Sequence, residues 1–283
     1  MTLRPADPAE GRGVWRAAVA APGDDDIRRR LLADNPQLSA PPGWRDPAAH
    51  WPRRQIFDRV FNRLTAAVAR PDASPPLALA GPRRVGKTVL LRQLADRLAE
   101  TGAADPRAVL LLDAAAPALV GRDIVEAADI LAAAAGVEPR ALLLDGAERR
   151  ADWPGDMRRL RARFPQAAAL AASALRPDGD GAAGLAGLEV LALPPLGFAE
   201  YLRLIGAEKT LLEPMRFGGR TLYAAPDPAA LDRAFLAWLN GGGFPETVLL
   251  PASSQYGGGR GTEAACARLA GLVLDEGLAA RRG

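Results

Sequence analysis

The hydrophobic pattern of this chain changes character along its length. Between residues 76 and 193, short apolar runs alternate with segments whose apolar positions recur at helical spacing. Residues 76–80 (PLALA), 108–112, 141–144 (ALLL), 167–172 and 188–193 (LEVLAL) read as strands, and 88–99, 123–135 and 154–164 as the helices among them. Buried apolar runs alternating with helices predict an α/β fold, a parallel sheet covered by helices on both faces. Upstream, 24–32 and 54–68 carry helical patterns, joined by the proline-rich linker APPGWRDPAAHWP, expected to be irregular. Beyond Pro194 helices are expected over 198–205, 228–239 and 262–278, with the glycine-rich break GGGFPE before the last. The pattern divides the chain into a helical, proline-rich extension (1–70), a core (71–194) and a small, lid-like helical region (195–283).

Composition narrows the function classes. A length of 283 residues suffices for one large or two modest domains. Net charge is +3 and most arginine pairs are mixed with acids, which does not support a dedicated nucleic-acid binder. The doublets Arg53-Arg54, Arg149-Arg150 and Arg158-Arg159 read as solvated helix faces. Asp24, Asp25 and Asp26 ahead of Arg28, Arg29 and Arg30 suit the dipole of one helix. Cys266 and His50 are the sole residues of their types, so no intrachain disulfide or zinc cluster is expected; they read as a buried thiol and a surface imidazole. The N-terminus lacks the apolar core of a secretory signal, and the longest apolar stretches, interrupted at Asp113, are too short to span a bilayer. A soluble, cytoplasmic protein without membrane contact is the expectation. Residues 177–184 (PDGDGAAG) read as a loop.

The chemistry concentrates in GPRRVGKT, residues 81–88. The string fits the phosphate-binding pattern G-x-x-x-x-G-K-[ST]. Its lysine, Lys87, is one of only two in a chain whose other basic residues are arginine. Lysine presents a compact, mobile charge to β- and γ-phosphates, where a planar guanidinium needs a wider fork. Gly81 and Gly86 let the backbone of Pro82, Arg83, Arg84 and Val85 bend so that the N–H groups of the loop, which Pro82 lacks, face phosphate, and Thr88 offers a hydroxyl to Mg²⁺. Strand, loop and helix in that order put the loop at a helix N-terminus, where the helix dipole favours an anion. ATP or ADP with Mg²⁺ is the expected ligand. The loop needs an acid at a neighbouring strand tip for the Mg²⁺ shell, and Asp145 follows ALLL. Gly146 occupies the next position, so the acid nearest to a water-orienting role is Glu148, three residues on. Glu148 reads equally well as a solvated partner of Arg149 or Arg150.

GPRRVGKTVLLRQLA, LLLDGAERRADWPGDMRRL, LPPLGFAEYL and GGGFPE together resemble a prokaryotic group of AAA-like ATPases. Members commonly read GPRRVGKT, LDEIQ, TGSS, LAGR, PLSFxEYL and GGFPE. The segments DDDIRRRLLADNP and PRRQIFDRVFNRL are similar to the lead-in of some members. The resemblance covers most of residues 24–250 and implies a P-loop NTPase sheet of strand order 5-1-4-3-2 followed by a small helical region. It also implies a catalytic acid, a γ-phosphate sensor and an arginine finger, and there this chain departs. LDEIQ becomes Leu144-Asp145-Gly146-Ala147-Glu148, TGSS becomes Ala171-Ala172-Ser173-Ala174, and LAGR becomes Leu185-Ala186-Gly187-Leu188. Only Ser173 remains to sense γ-phosphate, and the arginine is gone. NACHT-type NTPases offer a precedent: their LDG-x-acid arrangement is similar to Asp145, Gly146 and Glu148. Three readings stay open: a slow ATPase or nucleotide-dependent switch, a catalytically degenerate scaffold, and, behind both, a small-molecule P-loop kinase. An unidentified protein partner and an oligomer supplying an arginine in trans are compatible with each.

Overall fold

The computed structural model describes residues 24–249 except 42, 117–118, 175–184 and 242. The helix expected at 262–278, Cys266 and the loop expected at 177–184 lie outside the described residues.

Five parallel strands form the central sheet: β1 (Leu77–Ala80), β2 (Val109–Asp113), β3 (Ala141–Asp145), β4 (Ala168–Ser173) and β5 (Glu189–Ala192). Their order, β2-β3-β4-β1-β5, is the expected 5-1-4-3-2 read from the opposite edge. β1 and the interiors of β2, β3 and β4 are apolar and buried because both faces are covered. On one face Leu110, Leu112, Leu142 and Leu144 pack with Ile27 and Leu31 of α1 (Asp24–Asp34), with α4 (Ile124–Ala135) and with Trp153, Met157 and Leu160 of α5 (Trp153–Arg163). On the other, Leu79, Leu143 and Leu170 meet Val60 and Leu64 of α2 (Phe57–Ala69) and Leu90, Leu91, Leu94 and Leu98 of α3 (Lys87–Glu100). Successive residues of each strand thus feed opposite cores, the period of two that a strand imposes.

The linker between α1 and α2 contains short 3-10 turns, Pro36–Leu38 and Pro47–His50, and is closely packed nonetheless. Asn35 is fully buried against the free edge of β2. Its amide Nδ2 donates to the carbonyl of Leu111 at 2.7 Å, and its Oδ1 accepts from the Leu111 N–H at 2.7 Å. Gln37 Nε2 donates to the carbonyl of Val109 at 2.9 Å. Two side-chain amides therefore satisfy backbone groups that a further strand would have taken, which closes an edge otherwise open to pairing with another chain.

The arginine doublets require correction. Arg53 is exposed over the Phe57 ring, but Arg54 is only 6% exposed and forms a buried ion pair with Glu200 at 2.7 Å. Arg150 is mostly buried against Asp156, whereas Arg149, Arg158 and Arg159 are solvent-facing as expected. The helical pattern at 54 begins as α2 at Phe57, because the backbone of 52–56 is held in the contacts of Arg54 and Gln55 with Glu200.

Beyond β5 the chain forms α6 (Phe198–Leu204), α7 (Glu208–Leu211), α8 (Pro228–Gly241) and α9 (Pro245–Leu249). A hairpin, β6 (Glu213–Phe217) and β7 (Arg220–Ala224), stands where helices alone were expected. Its one local signal is the pair Gly218-Gly219. Both glycines have positive φ, 57° and 76°, the requirement of a tight two-residue turn. Among the described residues no helix is long and apolar enough to cross a membrane.

Candidate functional site

The loop 81–86 leaves the C-terminal end of β1, between β4 and β5, and delivers the chain to the N-terminus of α3. Crevices outside the carboxyl ends of parallel strands are where open α/β sheets bind ligands. Gly81 is required by close approach: a Cβ there would lie 2.2 Å from the carbonyl oxygen of Leu193 at the end of β5. Gly86 has φ +98° and caps α3, and Arg84 is the one non-glycine residue with positive φ among those described. Val85 is buried and anchors the loop from below.

Lys87 opens α3 and is 8% exposed. Its Nζ donates to the carbonyls of Gly81 and Pro82, each at 2.8 Å, so the side chain folds back across the mouth of the loop. Thr88 Oγ1 donates to Asp145 Oδ2 at 2.6 Å. Asp145 ends β3, and its Oδ1 accepts the N–H of Gly146 at 3.0 Å. Burial pushes the Asp145 carboxyl above its ordinary pKa; the bonds from Thr88 and Gly146 oppose that shift, and the charge of Asp113 adds to it. The spacing in the sequence thus brings Lys87, Thr88 and Asp145 together as expected.

Glu148 sits on a 3-10 turn (Ala147–Arg149) that follows Gly146, whose φ is +62°. A side chain at Gly146 would be strained by that φ and would meet Ala115 at 3.3 Å. An adjacent glutamate would be strained in this turn, and the acid that the turn presents is at 148. Glu148 Oε2 accepts the N–H of Ala174 at 3.0 Å, and Oε1 lies 3.9 Å from Arg83 Nε. Glu148 thereby joins the tip of β4 to the phosphate loop, instead of pairing with Arg149 or Arg150. Ser173 is 1% exposed beneath the loop, and its carbonyl accepts the Gly81 N–H at 3.2 Å. It underlies the loop and does not line the cleft.

A cleft of about 630 Å³ extends from the loop. Its polar lining includes Arg83, Arg84, Lys87, Thr88, Asp145 and Glu148, and its apolar lining Trp51, Pro52, Leu204 and Pro245. Three contributors escaped sequence reasoning. Arg54 donates to the carbonyls of Val85 and Pro194 while paired with Glu200, so one guanidinium ties the phosphate loop, the end of β5 and α6 together. Glu246 of the GFPE segment pairs with Arg84 at 3.2 Å across the cleft. Asp113, the last residue of β2, also lines it. The signals existed: Glu200 and Glu246 fall in PLGFAEYL and GGGFPE, and VLLLD repeats the pattern of ALLLD.

Comparison with known proteins agrees with the motif reading over the sheet. Residues 73–202 match the family model of an AAA domain. No curated protein is detectably similar in sequence. Solved structures with a related fold include PCH-2 of C. elegans, 13% identical, TM-score 0.40, covering 55% of this chain and 47% of that one. A point variant of RuvB from Thermotoga maritima is 17% identical with a TM-score of 0.42, covering 70% and 59%. The Orc1 protein of Aeropyrum pernix, solved in complex with DNA, is 14% identical with a TM-score of 0.43, covering 71% and 59%. The chain thus spans between 47% and 59% of the length of these proteins, and likeness at this level says nothing about activity or partner. The matched segment, with its five-stranded sheet and phosphate loop, is an AAA-like P-loop domain.

Proposed function

We propose that this protein binds ATP with Mg²⁺ in the cleft above α3 and works as a slow ATPase or nucleotide-dependent switch. The observation that carries the reading is the bond between Thr88 and Asp145 beside Lys87, at the N-terminus of a 14-residue helix. A hydroxyl and a carboxylate placed together are the oxygen donors a hard divalent cation takes, so the residues fit Mg²⁺. The helix N-terminus and loop amides fit a polyphosphate.

In this reading Lys87 leaves the carbonyls of Gly81 and Pro82 for the β- and γ-phosphates, and residues 81–88 wrap them. Thr88 and Asp145 hold the cation, which when bound neutralises phosphate charge. Trp51, Pro52, Leu204 and Pro245 receive the base. Glu148, held by the Ala174 N–H, orients the attacking water with its other oxygen, and Ser173 couples the tip of β4 to the state of the loop. Arg83 and Arg84 are the cations available to stabilise developing charge, in place of the arginine absent from the LAGR position. Residues 195–249 act as a lid, because α6 is tied to the loop through Arg54 and α9 through Arg84. A protein partner or a second copy reads the lid position, in the cytoplasm.

A second reading is a nucleotide-binding scaffold without turnover. The Glu148 bond to Ala174 favours it, since an acid so engaged has reduced freedom to accept a proton. Single-turnover hydrolysis of Mg·ATP, with bound nucleotide followed in the same sample, separates the two in wild type and Glu148→Gln. Turnover lost in the variant while binding persists supports the ATPase. Binding without turnover in either protein supports the scaffold, and phosphate transfer to an acceptor other than water would move the protein to the kinases.

A further inference from the structure

We infer that Asp113 is a second cation-facing carboxylate of this cleft, holding the water shell of the divalent ion together with Asp145. The inference rests on the nucleotide site proposed above and extends it to a residue that no motif of the chain assigns.

Register is the first support. Asp113 and Asp145 are the last in-register pair of the β2–β3 ladder, each following a run of apolar residues. In-register residues of neighbouring parallel strands project to the same side, about 5 Å apart. The two carboxylates therefore emerge side by side at the carboxyl edge of the sheet. Location is the second. Both line the cleft at the phosphate loop, and both border a smaller cavity of about 70 Å³ that reaches Thr88, the residue already bonded to Asp145.

The local bonding is the third support. Each aspartate uses Oδ1 to hold its own loop: Asp113 accepts the Ala115 N–H at 2.9 Å, and Asp145 accepts the Gly146 N–H at 3.0 Å. Oδ2 of Asp145 takes the Thr88 hydroxyl, while Oδ2 of Asp113 accepts no hydrogen bond from a described residue. Two anions on adjacent strand tips repel each other, and a divalent ion beside them converts that repulsion into attraction. Mg²⁺ retains several waters and is held by one or two carboxylates plus phosphate oxygens. Asp145 supplies one carboxylate and Asp113 the other, each through water.

The test follows a fluorescent ADP analogue binding to the full chain, first in EDTA and then across a Mg²⁺ titration, with Mn²⁺ binding to the ADP complex read by electron paramagnetic resonance. Asp113→Asn keeps an oxygen for the Ala115 N–H. It is expected to melt no lower than wild type when ligand-free and, with one anion fewer beside the phosphates, to bind in EDTA no more weakly than wild type. The cation midpoint should rise by about 10-fold, the usual cost of removing an outer-shell carboxylate. Asp113→Ser, whose hydroxyl can also accept that N–H, should behave the same way if the asparagine variant proves unstable. A cation midpoint equal to wild type in either folded variant overturns the inference. So does an affinity loss of equal size in EDTA, which would mean that Asp113 acts only on the fold. Wild type that binds no nucleotide in any condition overturns the nucleotide reading itself, an outcome distinct from both.

Discussion

Two regions of this protein are dense in polar side-chain bonds, and they are built in opposite ways. Along the edge of β2 and around Arg54, polar side chains bond to partners far away in sequence. Asn35 and Gln37 bond to β2, and Arg54 to Glu200, Val85 and Pro194. At the strand tips the bonds are mostly short loops closed on themselves: Lys87 onto Gly81 and Pro82, Asp113 onto Ala115, Asp145 onto Gly146. Long-range polar closure fixes where elements sit, and losing it leaves desolvated groups with nothing to replace their partner. Local closure holds a loop in shape yet can be exchanged for a ligand of like chemistry, because no distant element depends on it. One region specifies the fold, and the other is prepared for a phosphate and a cation.

The sharpest way to break this comparison is at Arg54. Arg54→Ala leaves Glu200 buried and unpaired and should lower stability by about 3–5 kcal/mol, read by urea or thermal unfolding. A variant as stable as wild type would mean that the latch contributes nothing to the fold. Asn35→Ala comes next. It strips the caps from Leu111 and should cost about 2 kcal/mol, with increased self-association by light scattering as the β2 edge opens. Glu246→Gln is the smallest. The Arg84–Glu246 pair is 43% and 45% exposed, so stability should change by less than about 1 kcal/mol in a melt. If this contact restrains the lid, nucleotide dissociation in stopped flow should instead quicken, and an unchanged rate would remove Glu246 from the lid mechanism.

The same contrast explains what was legible in the sequence. The sheet and the trio of Lys87, Thr88 and Asp145 follow from patterns whose members are close in sequence or fixed by a motif, and the strand order from the resemblance to AAA-like ATPases. Arg54 and Asn35 were misread or passed over because their role is defined by residues 146 and 76 positions away. Polarity alone cannot distinguish a solvated arginine from a latched one. The β6–β7 hairpin was missed for another reason: its residues are exposed, so no buried face imposed a strong alternation, and only Gly218-Gly219 marked the turn. Asp113 was visible as an interruption of an apolar run, but its meaning depends on the β2–β3 register, which becomes visible only once the strands are paired.

The central claim is that Lys87 serves a phosphate, and calorimetric titration of Mg·ADP into the full chain and into Lys87→Ala tests it most directly. The account predicts micromolar-range binding by wild type and a loss of about 100-fold in the variant, as expected for removing a charge-assisted bond worth nearly 3 kcal/mol, with both proteins melting alike when ligand-free. Equal binding by the two proteins, or none by wild type, would contradict it.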